Sequence, residues 1–332
     1  MELLIVILII AIIAGMSMMA LAGAAESARE QRTRSIINRI DSLIRDRYDS
    51  YRTRSVPVRV PAGTSPRIAA MLRLYALRDL MRMELPDRRT DVVNYSATPV
   101  IQTPPILLPT IFPTISVSMA SLQRHYYRAA VRCTGGILNN WTPENQGSEC
   151  LYLILSTMKD GDKSALDFFL PEEIGDTDED GMKEILDGWG SPILFLRWAP
   201  GYVPDLGPDG IIDTNDDGRI PQTMQTLNFA VAPDPFDPLK VDPHWPPTGT
   251  TGTYALYPLI VSPGRDKILD ISTHLVDSMS NDFRYATTTP PNNPYNIPAV
   301  SGQLPLGTVG DINNTGEEHW ADNITNHYQA PP

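Results

Sequence analysis

The chain has 332 residues, with 27 basic against 39 acidic side chains and a net charge of −12. Length alone suits one anchor plus one large or two small domains. The charge is divided: residues 1–132 carry 18 arginines against 10 acids, and residues 133–332 carry 9 basic side chains against 29 acids. This describes a basic stem and an acidic head, or equally two differently solvated faces. Nucleic-acid binding is disfavoured, because the arginines stand among aliphatics on helical stretches with few aromatics to stack on bases.

From Leu3 to Ala25 the chain carries no charge, and about 20 apolar residues suffice for a helix to cross a bilayer. Such a helix satisfies its own backbone hydrogen bonds in lipid. Glu2 is the exception, an acid at the start of an apolar span, where it is costly and marks a functional candidate. A cleaved signal peptide would explain Ala20, Ala22, Gly23, Ala24 and Ala25, but it requires a basic leading region and a shorter apolar core. A single-pass anchor fits the length and leaves Glu2 without a role. Arg29, Arg32 and Arg34 follow the span and by themselves favour a cytoplasmic C-terminal bulk, a bias that a basic leader would offset.

Residues 26–54 continue as helix without Pro or Gly. Ile36, Ile37, Ile40, Leu43, Ile44, Tyr48 and Tyr51 recur at three- and four-residue steps and predict one buried stripe, while Asp41 and Arg45 stand at ion-pair spacing on the helix surface. Together with the apolar run this gives a helix of about 80 Å, ended at Val56-Pro57. After a linker over 55–65, Ser65-Pro66 predicts a capped helix start, with Ile68, Met71, Leu72, Tyr75 and Leu80 inward and Pro86 as the stop. The proline-rich run 98–114 reads as extended loop. A short helix is expected from about 118 to 132, and another from Thr142-Pro143 through Met158, carrying Cys150 inward. Cys133 and Cys150 are expected to form one disulfide in an exported chain, worth about 3 kcal/mol in the loop-entropy picture; two buried thiols are the alternative.

The second half changes style. Runs at 193–198, 226–231 and 254–261 are strand-like, bounded by Pro, Gly and Asp, and long insertions at 232–252 and 287–310 separate them. Helices first and strands afterwards predict an α+β head. The expected organisation is 1–54 as the stem helix and 55–332 as the head, with a helical and proline-rich part at 55–140 and an α+β part at 141–332.

Two acidic loops have ligand-like spacing. Asp213, Asn215 and Asp217 alternate ahead of Gly218 and Ile220, the first half of a calcium loop, although Met224 replaces the closing glutamate. Asp205 or Asp209 stands within reach to complete it. Asp176, Asp178 and Asp180 precede Gly181 with the same opening, but Lys183 stands where the apolar eighth residue would be. Ordinary Asp-Gly turns are the competing explanation. Enzymatic signals are poor: the five histidines show no ligand spacing, and no nucleophile elbow, P-loop or dinucleotide fingerprint occurs. No catalytic residue is assigned.

The segment Glu2-Leu3-Leu4-Ile5-Val6-Ile7 resembles the N-terminal core of type IV pilins and type II secretion pseudopilins. Asp187-Gly188-Trp189-Gly190-Ser191-Pro192 is similar to the turn of major pseudopilins that enters a strand. The run from Tyr257 through Ser262, Gly264, Asp266 and Lys267 resembles that family's following strand and loop, and Ala321-Asp322-Asn323-Ile324 its closing acidic motif. Lys267 stands where the family has glycine, and Asn323 where it has aspartate. The match covers under half of the chain. It implies a pilin-like fold, a long helix packed on an antiparallel-sheet head. It further implies a filament subunit held in the inner membrane, with its head in the periplasm before assembly. Implied partners are copies of itself, other pseudopilins, inner-membrane assembly proteins and, where a basic leader and a Gly-Phe-Thr-Leu processing site precede Glu2, a prepilin peptidase. Glu2 would accept the charge of a neighbour's N-terminal amine, and calcium would bind the C-terminal loop at Asp266 and Asp322.

Overall fold

In the computed structural model of the chain, described for residues 2–56, 58, 60–95, 98–102, 119–202, 233–245, 253–273, 293–295, 306–309 and 322–327, the apolar run and the amphipathic stretch behind it form one helix, α1 (Glu2–Ser50). Its halves have different surroundings. Large side chains from Ile5 to Leu21 are 50–81 % exposed. From Thr33 onward the expected stripe turns inward, with Ile36, Ile37, Ile40, Ile44, Tyr48 and Tyr51 buried and Leu43 partly so. Arg45 pairs with Asp41 at 2.7 Å on the flank, as their spacing predicts.

The second helix, α2 (Pro66–Glu84), begins where Ser65-Pro66 places it, the Ser65 hydroxyl accepting the Ile68 N–H. A short α3 (Arg89–Val92) leads into β1 (Val93–Asn94), paired with β2 (Val100–Ile101). Then come α4 (Ser121–Cys133) and α5 (Gln146–Thr157), and after them the hairpins β3 (Lys159–Asp160) with β4 (Lys163–Ser164) and β5 (Ile174–Gly175) with β6 (Glu184–Ile185). The main sheet is antiparallel, ordered β7 (Leu194–Leu196), β8 (Leu259–Ser262), β9 (Ile324–Thr325), with Phe195 opposite Ile260 and Val261 opposite Thr325. α1 lies against β8 and β9, and α5 against β6 and β7. Trp141, Trp198, Tyr48, Phe195 and their neighbours form one continuous core joining stem and head. The layout is α+β, with a long N-terminal apolar helix and small antiparallel sheets.

Three expectations are corrected. The helix expected from Thr142 starts four residues later, after Asn145 in the left-handed region (φ 55°). Thr142 instead donates its N–H to Asp180 and its hydroxyl to Asp178, so a residue resembling a cap serves a distant carboxylate. The strand expected over 254–261 is pared to β8 at its C-terminal end. No disulfide joins Cys133 and Cys150: Cys150 is fully buried on the inner face of α5, whereas Cys133 is the half-buried last residue of α4. The strand expected at 226–231 lies outside the described residues.

The second half of α2 runs through the head rather than over it. From Leu74 to Arg88 every residue is buried, so its charges must find partners inside. Arg78 pairs with Asp234 at 3.0 Å and with Asp242. Arg82 pairs with Asp79 at 2.9 Å. Asp91 receives Arg88 at 3.1 Å and Arg197 of β7's end at 3.0 Å, and Arg197 also reaches Asp87 at 3.4 Å. Burial alone would push the Asp91 carboxyl up; the Arg88, Arg197 and Arg82 guanidiniums outweigh it and hold the group well below the usual carboxylate range.

Candidate functional site

The stem meets the head at the Asp187 turn. Asp187 Oδ1 accepts the N–H groups of Trp189 and Ser191, at 2.8 and 2.9 Å, and Oδ2 accepts the Ser262 hydroxyl at 2.7 Å. One carboxylate therefore folds the turn and ties it to β8. Gly188 lies directly on α1. Its N–H donates to Thr33 Oγ1 at 2.9 Å, and a Cβ there would stand 2.5 Å from the Arg29 carbonyl oxygen, so only glycine permits this approach. The Trp189 indole N–H donates to Glu26 at 2.9 Å. Farther along, Arg32 bridges Glu172 and Glu173, and Asn326 beside β9 donates to Asp41. Ahead of Glu26, α1 presents an apolar surface with no cover among the described residues; by length and composition it is the one described helix able to cross a membrane.

A second feature lies on the other side of that turn. The loop joining β5 to β6 carries Asp176, Asp178 and Asp180, and α5 brings Glu149 to it from the core. Carboxylate oxygens of Glu149, Asp178 and Asp180 lie within 4.8 Å of one another, as do those of Asp176, Asp178 and Glu184. These groups can hold a metal ion. Gly181 closes the loop at φ 95°, its N–H donating to Asp176, and a Cβ would collide with the Cys133 carbonyl. Trp141 Nε1 donates to Glu149 Oε2. Burial, then the nearby Asp180 charge, pushes the Glu149 carboxyl up to about 10, and burial raises Glu184 to about 7.

No protein-family model, no curated protein and no solved structure matches this chain. Its sites therefore stand on their own geometry.

Among the residues singled out from sequence, Glu2 is the first residue of α1. Asp213, Asn215 and Asp217 lie outside the described residues, with Asp205 and Asp209. Asp266 and Asp322 do come together: Asp322 Oδ2 accepts the Arg265 and Asp266 N–H groups at 3.0 and 3.1 Å, while Asp266 Oδ1 accepts that of Ile268. The oxygens in these bonds clasp the loop, and among the described residues no third acid joins the pair as Glu149 joins Asp178 and Asp180. Lys267 has φ 66°, the conformation that suits the glycine found there in the resembling family. Sequence reading missed Glu149 and Glu184. The signal for Glu149 is faint, an acid immediately before the apolar run Cys150–Leu155 of a helix that is otherwise core.

Proposed function

We propose that this chain is a subunit of a type II secretion pseudopilus or type IV pilus-like filament. It is held in the inner membrane by the first half of α1, with its head in the periplasm, and then packs that half against copies of itself and other pseudopilins. The observation that carries this reading is the division of a single 49-residue helix into an uncovered apolar half and a half that is the spine of an α+β head. A simple anchor has no need of a rigid continuation into the head. A filament subunit does, since the head must be placed by the packing of the helices. Glu2 at the start of the apolar run would pair with a neighbour's terminal amine; a charge pair in such a core costs about 3–5 kcal/mol when one partner is lost and so sets register.

The test is cross-linking in membranes of a host with a pilus-type assembly machinery. Full-length chain carrying Ile9→Cys and Ile13→Cys, both exposed on α1, is expected to give a ladder of covalent multimers. Glu2→Leu should insert normally and lose the ladder. Membrane-bound chain that remains monomeric would instead favour a single-pass anchor carrying a calcium-dependent binding or hydrolytic domain on the outer face.

A further inference from the structure

We propose that Glu149, Asp178 and Asp180, with Asp176 and Glu184 at the edge, hold a calcium ion inside the head. Clustered acids are common on protein surfaces and alone say little. Here the cluster reaches into the core. Glu149 is fully buried, and its Oε1 has no hydrogen-bond partner among the described residues; nor has the buried Asp178 Oδ1. Buried polar atoms are nearly always satisfied. Neighbouring oxygens of the group accept donors from Thr142, Met182 and Thr177; these two, left without one and facing other carboxylates, are placed as ligands of a cation.

The donor set decides the class of ion. It offers oxygen alone, without the nitrogen and sulfur that zinc prefers. Magnesium is usually bound through one or two carboxylates and keeps several waters, whereas calcium accepts six to eight oxygens in looser geometry. Three to five converging carboxylates favour calcium. The loop has the matching spacing, with acids at Asp176, Asp178 and Asp180 and the turn at Gly181, the opening of an EF-hand-like loop. Such a loop ends with a glutamate at its twelfth position, where this chain has Asp187, already committed to the turn beneath α1. Glu149 supplies the missing carboxylate from α5. The ion thereby ties α5 to the β5–β6 hairpin, which runs straight into the stem-binding turn. The assignment does not depend on the filament reading.

The test is a thermal melt of the full-length chain in detergent, with CaCl2 or with chelator. At about ten times the dissociation constant, calcium should raise the melting temperature by about 2 °C. Glu149→Gln and Asp178→Asn should each abolish the shift, while the calcium-free Glu149→Gln protein melts no lower than the parent. Asp213→Asn with Asp217→Asn should leave the shift intact. No shift at about 10 mM CaCl2, well above the weakest extracellular calcium sites, overturns the proposal. So does an equal shift with MgCl2, or a calcium shift that survives in the Asp178→Asn protein; should Glu149→Gln not fold, Asp178→Asn alone decides.

Discussion

Two regions of the head bury carboxylates and treat them in opposite ways. Around the second half of α2, each buried acid has a guanidinium: Asp91 meets Arg88 and Arg197, Asp234 and Asp242 share Arg78, and Asp79 meets Arg82. Around the β5–β6 loop, Glu149, Asp178 and Asp180 converge, and among the described residues none of the three forms an ion pair with a basic side chain. The first region carries its own cations and the second leaves room for one. In the first, therefore, removing a cation strands charge; in the second, replacing Glu149 with a neutral amide removes the cost of burying a carboxyl that must take up a proton to fold.

The comparison can be broken most directly at Arg197, whose side chain is completely buried. Arg197→Met keeps much of the volume and leaves Asp87 and Asp91 short of a cation, so a loss of about 3–5 kcal/mol is expected in urea unfolding of the solubilised chain. A loss under about 1 kcal/mol would mean that the arginines are not what permits burial. A mirrored pair sharpens the contrast. Asp91→Asn should destabilise by about 2–3 kcal/mol because three guanidiniums lose their shared carboxylate. Calcium-free Glu149→Gln should stabilise by about 1 kcal/mol. The same neutralisation then has opposite signs in the two regions, and equal signs would erase the distinction. The smallest effect belongs to a pair open to solvent. Arg34→Ala removes the bridge to Glu30 one turn back on α1, with both side chains about one-third to one-half exposed, and should cost under about 1 kcal/mol by the same measurement.

What could be read from sequence follows the range of the forces involved. The helices α1, α2 and α4 follow from local rules: an apolar period of three and four, Ser65-Pro66 at a helix start, and Pro86 after its end. The Asp187 turn could be found because its motif is short and contiguous and its Oδ1 bonds to Trp189 and Ser191 are local; its ties to Ser262, Thr33 and Glu26 could not. The start of α5 could not, since Thr142 is drawn to Asp178 and Asp180, nearly 40 residues away. The described strands are two to four residues long, too short for alternation to place them. The buried arginines look like a solvated face until Asp234 and Asp242 arrive from more than 150 residues on. Likewise, the acidic loop is visible as spacing, but its deepest member, Glu149, comes from another element, and only tertiary packing puts it there.

The close seat of Gly188 on α1 has a consequence for motion. The first bond between head and stem, Trp189 to Glu26, falls one residue beyond the uncharged run, so no slack separates the two. The head is mounted on the helix as a blade is on a shaft. A single-residue slip of α1 against whatever surrounds its apolar half would advance the head by 1.5 Å and turn it through about 100°. The azimuth of every surface on the head is thus written in the phase of the helix beneath it.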